Sequence, residues 1–333
     1  MAVSDNSQNN HAKSPVMVSV VMISYNQENE ISEAIHGVIK QKTQFPIELI
    51  ISDDASTDAT YEIIMNWAKR YPTIIKPYRN DCNVGIQANY LKALSQCRGK
   101  YVAMCDGDDY WISPKKLARQ VAYMEHNPKC SITFHRMINY YADTHVMSLS
   151  NGNQKSDCDI NDLACGNFIT NASVMYRVGN TDLSNLPGFL KDNTLLDYGL
   201  HMFFASQGNI HYFKQPMAVY RKLSVAAWST QADCSALKMA YNVRKSLIGY
   251  FQNNQSVTQK LVAASKLILS KTYLISDENS DTSQWAVREW ERVNDNPSDN
   301  IETYYKPVST KFAKKLTSKL RNIITHCLPR PKP

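Results

Sequence analysis

The chain has 333 residues, of which 43% are hydrophobic and 20% are charged, and this composition is typical of a soluble globular protein with one large domain or a core domain plus an appendage. Of its 37 Lys and Arg residues, eight lie within 303–333, where there is no Asp or Glu, so residues 1–302 carry 29 basic against 30 acidic side chains. The body therefore lacks the basic excess expected of a nucleic-acid-binding domain.

The first third of the chain alternates between buried-strand and amphipathic-helix patterns. Continuous runs rich in β-branched residues predict strands covered on both faces, and apolar residues at i, i+3 and i+4 predict helices between them. In chain order these patterns predict a strand at Val18–Asn26, a helix at Ile31–Ile39, a strand at Ile47–Thr57, a helix before Pro72, a strand at Thr73–Pro77, a helix at Ile86–Cys97 and a strand at Tyr101–Cys105.

This alternation predicts a parallel sheet flanked by helices, in which ligands bind beyond the carboxyl ends of the strands. Three polar groups of the sequence fall there: Ser24 to Asn26 after the first strand, Asp53 and Asp54 after the second, and Asp106 to Asp109 after the last. We expect them to form one site.

The remainder of the chain is less regular. The polar residues 1–15 predict a leader without a signal peptide, and no stretch is apolar enough to predict a transmembrane helix. Apolar side chains at helical spacing among the lysines of the tail predict a basic amphipathic helix, which either lies on an anionic membrane or packs on the body. Other predicted elements are strands at Ser131–Tyr141 and Phe168–Val178, a helix at Asn193–Ser206, a strand at Asn209–Arg221 with a kink at Pro216, and helices throughout 235–295.

The sequence "DGDD" places Asp106, Asp108 and Asp109 directly after a predicted strand. Carboxylates this close repel one another unless a cation lies among them, so the cluster is either a metal site or a solvated turn. Mg²⁺ and Mn²⁺ prefer oxygen ligands, and Mg²⁺ commonly combines one or two carboxylates with water and substrate phosphates. The sequence contains no GxxxxGK[ST] motif, which excludes a P-loop nucleotide site.

Four motifs, "VSVVMISYN", "ELIISDDASTDAT", "NVGIQANYLKAL" and "YVAMCDGDDYW", occur in that order within residues 17–115. Together they resemble the nucleotide-sugar-binding half of family 2 glycosyltransferases with the GT-A fold. The resemblance implies an α/β fold with a mostly parallel, Rossmann-like sheet and a helical C-terminal region. We expect a leader at 1–15, a glycosyltransferase domain at 16–230 divided into donor (16–115) and acceptor (116–230) halves, a helical extension at 231–302 and the tail at 303–333.

The same resemblance assigns roles to the clustered polar residues. It implies that Asp54 contacts the nucleotide base, with Tyr25 near the base or ribose, and that Asp108 and Asp106 bind Mn²⁺ or Mg²⁺ together with the donor diphosphate. The implied donor is a UDP- or GDP-linked sugar. The full set of expected donor-binding residues is Ser24, Tyr25, Asp54, Asp106, Asp108 and Asp109.

Past residue 130 the resemblance is weaker. It implies that Asp197, in "NTLLDYGLHMFF", is the general base, although Thr194 and Asp197 also match a helix-capping pair. Many relatives have a histidine about where Leu223 stands here. We expect either that Arg221 or Lys222 provides charge near the diphosphate or that water completes the metal shell. The expected acceptor-side residues are Trp111, Thr170, Asn171 and Arg177.

The resulting expectation is an inverting, metal-dependent glycosyltransferase that acts on a glycan or lipid-linked acceptor in cell-surface polysaccharide synthesis. We expect a cytoplasmic location, with peripheral attachment to the inner membrane face through the tail, and no nucleic-acid partner. A sugar-phosphate nucleotidyltransferase and a non-catalytic nucleotide-sugar-binding module remain as alternatives.

Overall fold

A computed structural model describes residues 15–150, 152–191, 196–222, 230–277 and 279–305. Its described strands are β1 (Val18–Ser24), β2 (Ile47–Asp53), β3 (Ile75–Arg79), β4 (Tyr101–Met104), β5 (Tyr110–Trp111), β6 (Cys130–Tyr141), β7 (Val146–Leu149), β8 (Asp157–Cys158), β9 (Met175–Arg177) and β10 (Asn209–Lys222). They form one mixed sheet with the order β3-β2-β1-β4-β9-β6-β10-β5, in which β7 also pairs with β6 and β8 with β10.

Helices cover both faces of this sheet. The described helices are α1 (Ile31–Ile39), α2 (Thr60–Arg70), α3 (Ile86–Ser95), α4 (Lys116–His126), α5 (Ile160–Cys165), α6 (Leu196–Ala205), α7 (Thr230–Tyr250), α8 (Gln255–Ile275), α9 (Asp281–Val293) and α10 (Ile301–Tyr304). One apolar layer joins the sheet to α1, α2 and α4, and the other joins it to α3, α5, α6 and α7. β1 shows why both faces are apolar, because Val20 and Met22 enter the first layer and Val21 enters the second.

The alternation predicted for the first third is confirmed. Strands β1 to β4 are all parallel, whereas β9 pairs antiparallel with both β4 and β6. The sheet is therefore mostly parallel, and the GT-A class expected from the sequence describes the observed fold. The kink expected at Pro216 is also present, as an irregularity in the pairing of β10 with β6 between Phe213 and Ala218.

One predicted element is wrong. The segment Phe168–Val178 is a 3₁₀ turn at Asn171–Ser173 followed by the short strand β9. The helices expected throughout 235–295 are present as α7, α8 and α9, with short non-helical stretches between them. The predicted start of α6 at Asn193, the membrane-binding tail and Leu223 lie outside the described residues.

The chain divides into two compact units, one through Ala264 and one from Ser265. In the second unit, the almost fully buried Lys266 donates hydrogen bonds to Asp295 at 2.7 Å and Asp299 at 3.1 Å. No helix in the described ranges is long and apolar enough to cross a bilayer. The domain boundaries expected from the sequence remain predictions.

Candidate active site

The carboxyl ends of β1, β2 and β4 lie at one edge of the sheet, as expected. Backbone hydrogen bonds link the loops that follow them: the Asp54 amide donates to the Ser24 carbonyl at 2.9 Å, and the Gly107 amide donates to the Ile23 carbonyl at 3.0 Å. These bonds bring the three polar groups predicted from the sequence into one cluster.

Asp106 lies at the centre of this cluster. Its carboxylate accepts a hydrogen bond from the Tyr90 hydroxyl and another, at 2.8 Å, from Asn171 Nδ2. Burial raises the pKa of Asp106 to about 7, and the nearby charges of Asp108 and Asp197 act in the same direction. The site therefore concentrates negative charge at a position where ionisation is already unfavourable.

Asp108 and Asp109 are held by β10. The Arg221 amide donates to Asp109 Oδ1 at 3.0 Å, and Arg221 Nη1 donates to the Asp108 carbonyl at 2.7 Å. Burial raises the pKa of both carboxyl groups. The Arg221 guanidinium also pairs with Glu33 of α1 and lies 4.5 Å from the centre of the Tyr110 ring. Arg221 thus fixes the shape of the acid turn, and its charge is already paired, which does not favour the expected role at the diphosphate.

Gly107, between the two metal-site candidates, packs closely against α1 and the loop that precedes it. A Cβ at this position would overlap Gln27 Oε1 and lie 2.9 Å from Ile31 Cδ1 and 3.0 Å from the Ile23 carbonyl oxygen. A side chain at residue 107 would therefore require the Gln27 and Ile31 side chains to move.

Asp54 is buried and organises the loop before α3. Its carboxylate accepts hydrogen bonds from Asn80 Nδ2 at 2.7 Å and from the amides of Val84 and Gly85, each at 2.9 Å. Gly85 has a φ of +85°, a conformation that favours glycine. These contacts give Asp54 a structural role in shaping the expected nucleotide pocket, and its contact with a base remains a prediction.

The two expected donor residues after β1 differ in accessibility. Ser24 is buried, and its hydroxyl donates a hydrogen bond to Asp53 Oδ1 at 3.4 Å, so it supports Asp53. Tyr25 is 46% exposed. Of these two side chains, only that of Tyr25 is exposed enough for a nucleotide to contact it.

Asp197 lies in the first turn of α6 and is close enough to the acid turn for its charge to raise the pKa of Asp106. It also raises the pKa of Tyr220 on β10, where burial is the largest cause and Asp109, Asp108 and Asp106 contribute. A residue 91 positions further along the chain is therefore a neighbour of the acid turn. The capping alternative involves Thr194, which lies outside the described residues.

The four residues expected on the acceptor side do not lie together in the structure. Asn171 lies beside Asp106, and Thr170 precedes it, with its carbonyl accepting from Ser173 Oγ at 2.6 Å. Trp111 is buried, with its indole nitrogen bonded to the Ala172 carbonyl at 2.9 Å, so its ring packs in the core and is not available to a sugar.

Arg177 is a correction to the sequence prediction. It pairs with Tyr101, the first residue of β4, and therefore lies at the end of that strand opposite to the acid turn. Its guanidinium donates to the Cys130 carbonyl at 2.9 Å and to the Tyr101 hydroxyl at 3.0 Å. Since β9 runs antiparallel to β4, the polar end of "FITNASVMYRV" nearest the site is Asn171, and Arg177 has a structural role.

Tyr90, Tyr220 and Glu33 belong to the site but were not predicted. Tyr90 contributes to the apolar face of α3, a pattern that indicates a core residue, yet its hydroxyl reaches Asp106. Tyr220 stands next to Arg221 in a segment recognised only as a strand. No sequence signal distinguishes these residues, because their roles depend on elements far apart in the chain.

The carboxylates fit a hard divalent cation in the way expected of a substrate-bridged site. The described residues contain no group of three or more His, Cys, Asp or Glu side chains that could hold a metal ion by themselves. Asp106 and Asp108 belong to one turn, burial raises the pKa of both, and the Asp108 charge raises that of Asp106 further. A cation beside them would stabilise the ionised form of each carboxylate. Such a set suits Mn²⁺ or Mg²⁺ with phosphate oxygens as the remaining ligands.

A family model described as glycosyl transferase family 2 matches residues 19–222, which include the acid turn and, apart from Val18, all the described strands of the sheet. The chain belongs to this family. An uncharacterized protein of Mycobacterium tuberculosis is 40% identical over 215 residues, which cover 63% of this chain and 60% of that protein. The match thus spans about 60% of the length of this curated relative.

One further relative in sequence and one similar solved structure bear on the chemistry and the fold. An Escherichia coli protein named UDP-Glc:alpha-D-GlcNAc-diphosphoundecaprenol beta-1,3-glucosyltransferase WfaP is 33% identical over 135 residues, covering 38% of this chain and 47% of that protein. The crystal structure of Staphylococcus aureus TarS, residues 1–349, in complex with UDP superimposes with a TM-score of 0.61 at 17% identity, covering 84% of this chain and 81% of that one. The second likeness establishes the fold alone.

Proposed function

We propose that this family 2 member transfers a sugar from a UDP- or GDP-linked donor to a hydroxyl group of a glycan or lipid-linked acceptor, with inversion at the anomeric carbon. The observation that carries the proposal is the closeness of Asp197, on α6, to the acid turn after β4. A base on one side and a diphosphate-binding turn on the other are the two groups that single-step displacement requires.

In this proposal the chain contributes three actions. Tyr25 and the loop shaped by Asp54 receive the nucleoside, and Asp106 and Asp108 would hold a divalent metal ion and, with it, the diphosphate. A bound Mn²⁺ or Mg²⁺ would stabilise the negative charge of the departing nucleoside diphosphate. Asp197 accepts the proton of the acceptor hydroxyl as that oxygen attacks from the face opposite the leaving group, so no covalent enzyme intermediate is needed.

The family relationship and the name of the WfaP relative support a role in polysaccharide or lipid-linked glycan synthesis. They favour this reaction over a sugar-phosphate nucleotidyltransferase. The alternative of a non-catalytic binding module is weakened by Asp197, because a module that only bound the nucleotide sugar would not need a carboxylate beside the acid turn.

The test is release of UDP or GDP from a panel of nucleotide sugars with Mn²⁺, with and without acceptor, in the wild type and in Asp197→Asn. Asn preserves the size of the side chain but cannot take a proton, so we expect transfer to fall on the order of 10²–10⁴-fold while the donor still binds. Transfer at the wild-type rate in Asp197→Asn would remove Asp197 from the role of base.

A further inference from the structure

Asp106 is held at both of its carboxylate oxygens by side chains from distant parts of the chain. The Tyr90 hydroxyl donates a hydrogen bond to Oδ1, and Asn171 Nδ2 donates to Oδ2 at 2.8 Å. Asn171 Nδ2 also donates to the Tyr90 hydroxyl oxygen. An amide nitrogen has two hydrogens, so it can make both bonds, and the three side chains close a ring. We call Tyr90 and Asn171 the carboxylate clamp.

Both members of the clamp are fixed by their own surroundings. Tyr90 is 6% exposed and packs in the apolar layer that joins α3 to the sheet. Asn171 is the first residue of a 3₁₀ turn that ends at the fully buried Ser173. Gln120 of α4 donates a hydrogen bond to the Ser173 carbonyl at 3.0 Å, which anchors that turn. The clamp is therefore part of the folded frame, and it gives Asp106 a defined position.

The clamp joins the two halves expected within the glycosyltransferase domain. Tyr90 belongs to the donor half and Asn171 to the acceptor half. β9 runs antiparallel to β4, and the Met104 amide donates to the Val174 carbonyl at 3.3 Å, so the turn before β9 lies at the carboxyl end of β4. The position of the Asp106 carboxylate therefore depends on residues from both halves.

The chemistry of the two donors distinguishes Asp106 from carboxylates that serve the folded state alone. Glu48 is paired with the Arg98 guanidinium, and Asp54 accepts hydrogen bonds from two backbone amides in addition to one side chain. Among the described residues, the Asp106 carboxylate is bonded by two neutral side-chain groups, a phenol and an amide. Neutral donors fix the direction of a carboxylate and do not neutralise its charge. Each oxygen also retains a lone pair for a further partner.

We propose that Tyr90 and Asn171 are positioning residues that hold Asp106 in the orientation needed to bind a divalent cation. The inference rests on the proposed function, since it assumes that the acid turn holds a cation together with the donor diphosphate. A carboxylate that is already ordered loses less conformational freedom when it binds a ligand. Groups that hydrogen-bond a metal ligand commonly contribute about 10- to 100-fold to metal affinity.

The experiment measures Mn²⁺ binding directly, by electron paramagnetic resonance of unbound Mn²⁺ in the presence of UDP or GDP and without a sugar donor. Tyr90→Phe removes the hydroxyl and keeps the buried ring, and Asn171→Ala removes the amide. We expect each change to raise the Mn²⁺ dissociation constant about tenfold. The double variant should lose less than the product of the two single effects, because both residues belong to one hydrogen-bonded ring.

Tyr101→Phe is the matched control for the tyrosine. The Tyr101 hydroxyl also donates to a carboxylate, Glu125 Oε1 at 2.8 Å, but Tyr101 lies at the amino end of β4. This variant loses a bond of the same kind, so we expect its melting temperature to fall while its Mn²⁺ dissociation constant stays at the wild-type value. Asn127→Ala, which removes a side-chain amide that donates to the Tyr123 carbonyl after α4, is the control for the asparagine.

The Mn²⁺ dependence of the transfer rate separates a positioning role from a merely structural one. If the clamp acts through the cation, excess Mn²⁺ should restore the rates of Tyr90→Phe and Asn171→Ala toward the wild-type value. A distorted fold would not respond to added Mn²⁺.

Three results would overturn the inference. They are wild-type Mn²⁺ dissociation constants in both single variants; a loss of rate that excess Mn²⁺ does not restore, together with a fall in melting temperature like that of Tyr101→Phe; and a wild type that binds no Mn²⁺ with either nucleotide. Failure of the proposed function gives a different pattern, in which the clamp variants weaken Mn²⁺ binding but the wild type releases no nucleotide from any sugar donor.

Discussion

The two ends of the central sheet treat charge in opposite ways. At the amino end, Glu48 of β2 is buried, yet hydrogen bonds from Arg98, at 2.6 Å, and from Ser19, at 2.7 Å, outweigh the effect of burial and lower its pKa. Hydrogen bonds from Lys100 and Tyr101 lower the pKa of Glu125 near the same end. Each of these carboxylates has a cation within bonding distance.

At the carboxyl end the acids are crowded, and their pKa values are raised instead. Asp106 receives hydrogen bonds from Tyr90 and Asn171, and Asp109 receives one from the Arg221 backbone. The Arg221 guanidinium bonds only the backbone carbonyl of Asp108, and its charge is shared with Glu33. At the amino end, the folded protein itself stabilises the ionised carboxylates. At the carboxyl end, the acids of the turn still repel one another, and a bound cation would remove that repulsion. Three predictions test this contrast.

Replacing Asp108 should have the largest effect and act on activity alone. In Asp108→Asn we expect Mn²⁺-dependent nucleotide release to fall on the order of 10²–10³-fold, because the turn loses a charge that holds the cation, and a metal contributes several kcal/mol of charge stabilisation. Thermal stability without ligand should stay equal or rise, since a repulsive charge is removed. Steady-state kinetics and melting curves measure the two effects, with the exposed Asp182→Asn as control.

The amino end should give the reverse result. Glu48→Gln removes the charge that pairs with Arg98 and bonds Ser19, so we expect a loss of roughly 1–3 kcal/mol in the free energy of unfolding, as for other buried hydrogen-bonded groups. The rate of transfer, measured well below the melting temperature, should match the wild type. Unfolding in urea provides the stability. A rate that fell together with stability would show that the two ends of the sheet are coupled.

The smallest effect concerns pH. Asp106 binds its proton more tightly in the folded state, because its pKa rises from 3.8 to about 7. Between these values the folded state holds more protons than the unfolded state, so the contribution of Asp106 to stability decreases as pH rises. We expect ligand-free Asp106→Asn to show a shallower decline of melting temperature from pH 5 to pH 7.5 than the wild type. Parallel slopes in the two proteins would contradict the assignment of this pKa to Asp106.

The sequence by itself determined the architecture of the donor half and the composition of its site. Hydrophobic runs and helical periodicity located β1 to β4, and because parallel strands place their carboxyl ends together, Asp54 and Asp106 to Asp109 could be assigned to one edge without coordinates. Such signals are local, since each depends on residues within one strand or one helix. The predicted metal, base and acceptor roles remain to be tested by the experiments above.

Tertiary structure alone decided which side chains complete the site. Asn171 and Arg177 belong to one short segment, but the antiparallel direction of β9 places Asn171 beside Asp106 and Arg177 at the other end of β4. Likewise, alternation along β10 places Arg221 and Lys222 on opposite faces. Only the tertiary structure decides that Arg221 is the one that reaches Glu33 and the acid turn. The direction and register of a strand depend on partners distant in the chain, and periodicity within a segment does not encode them.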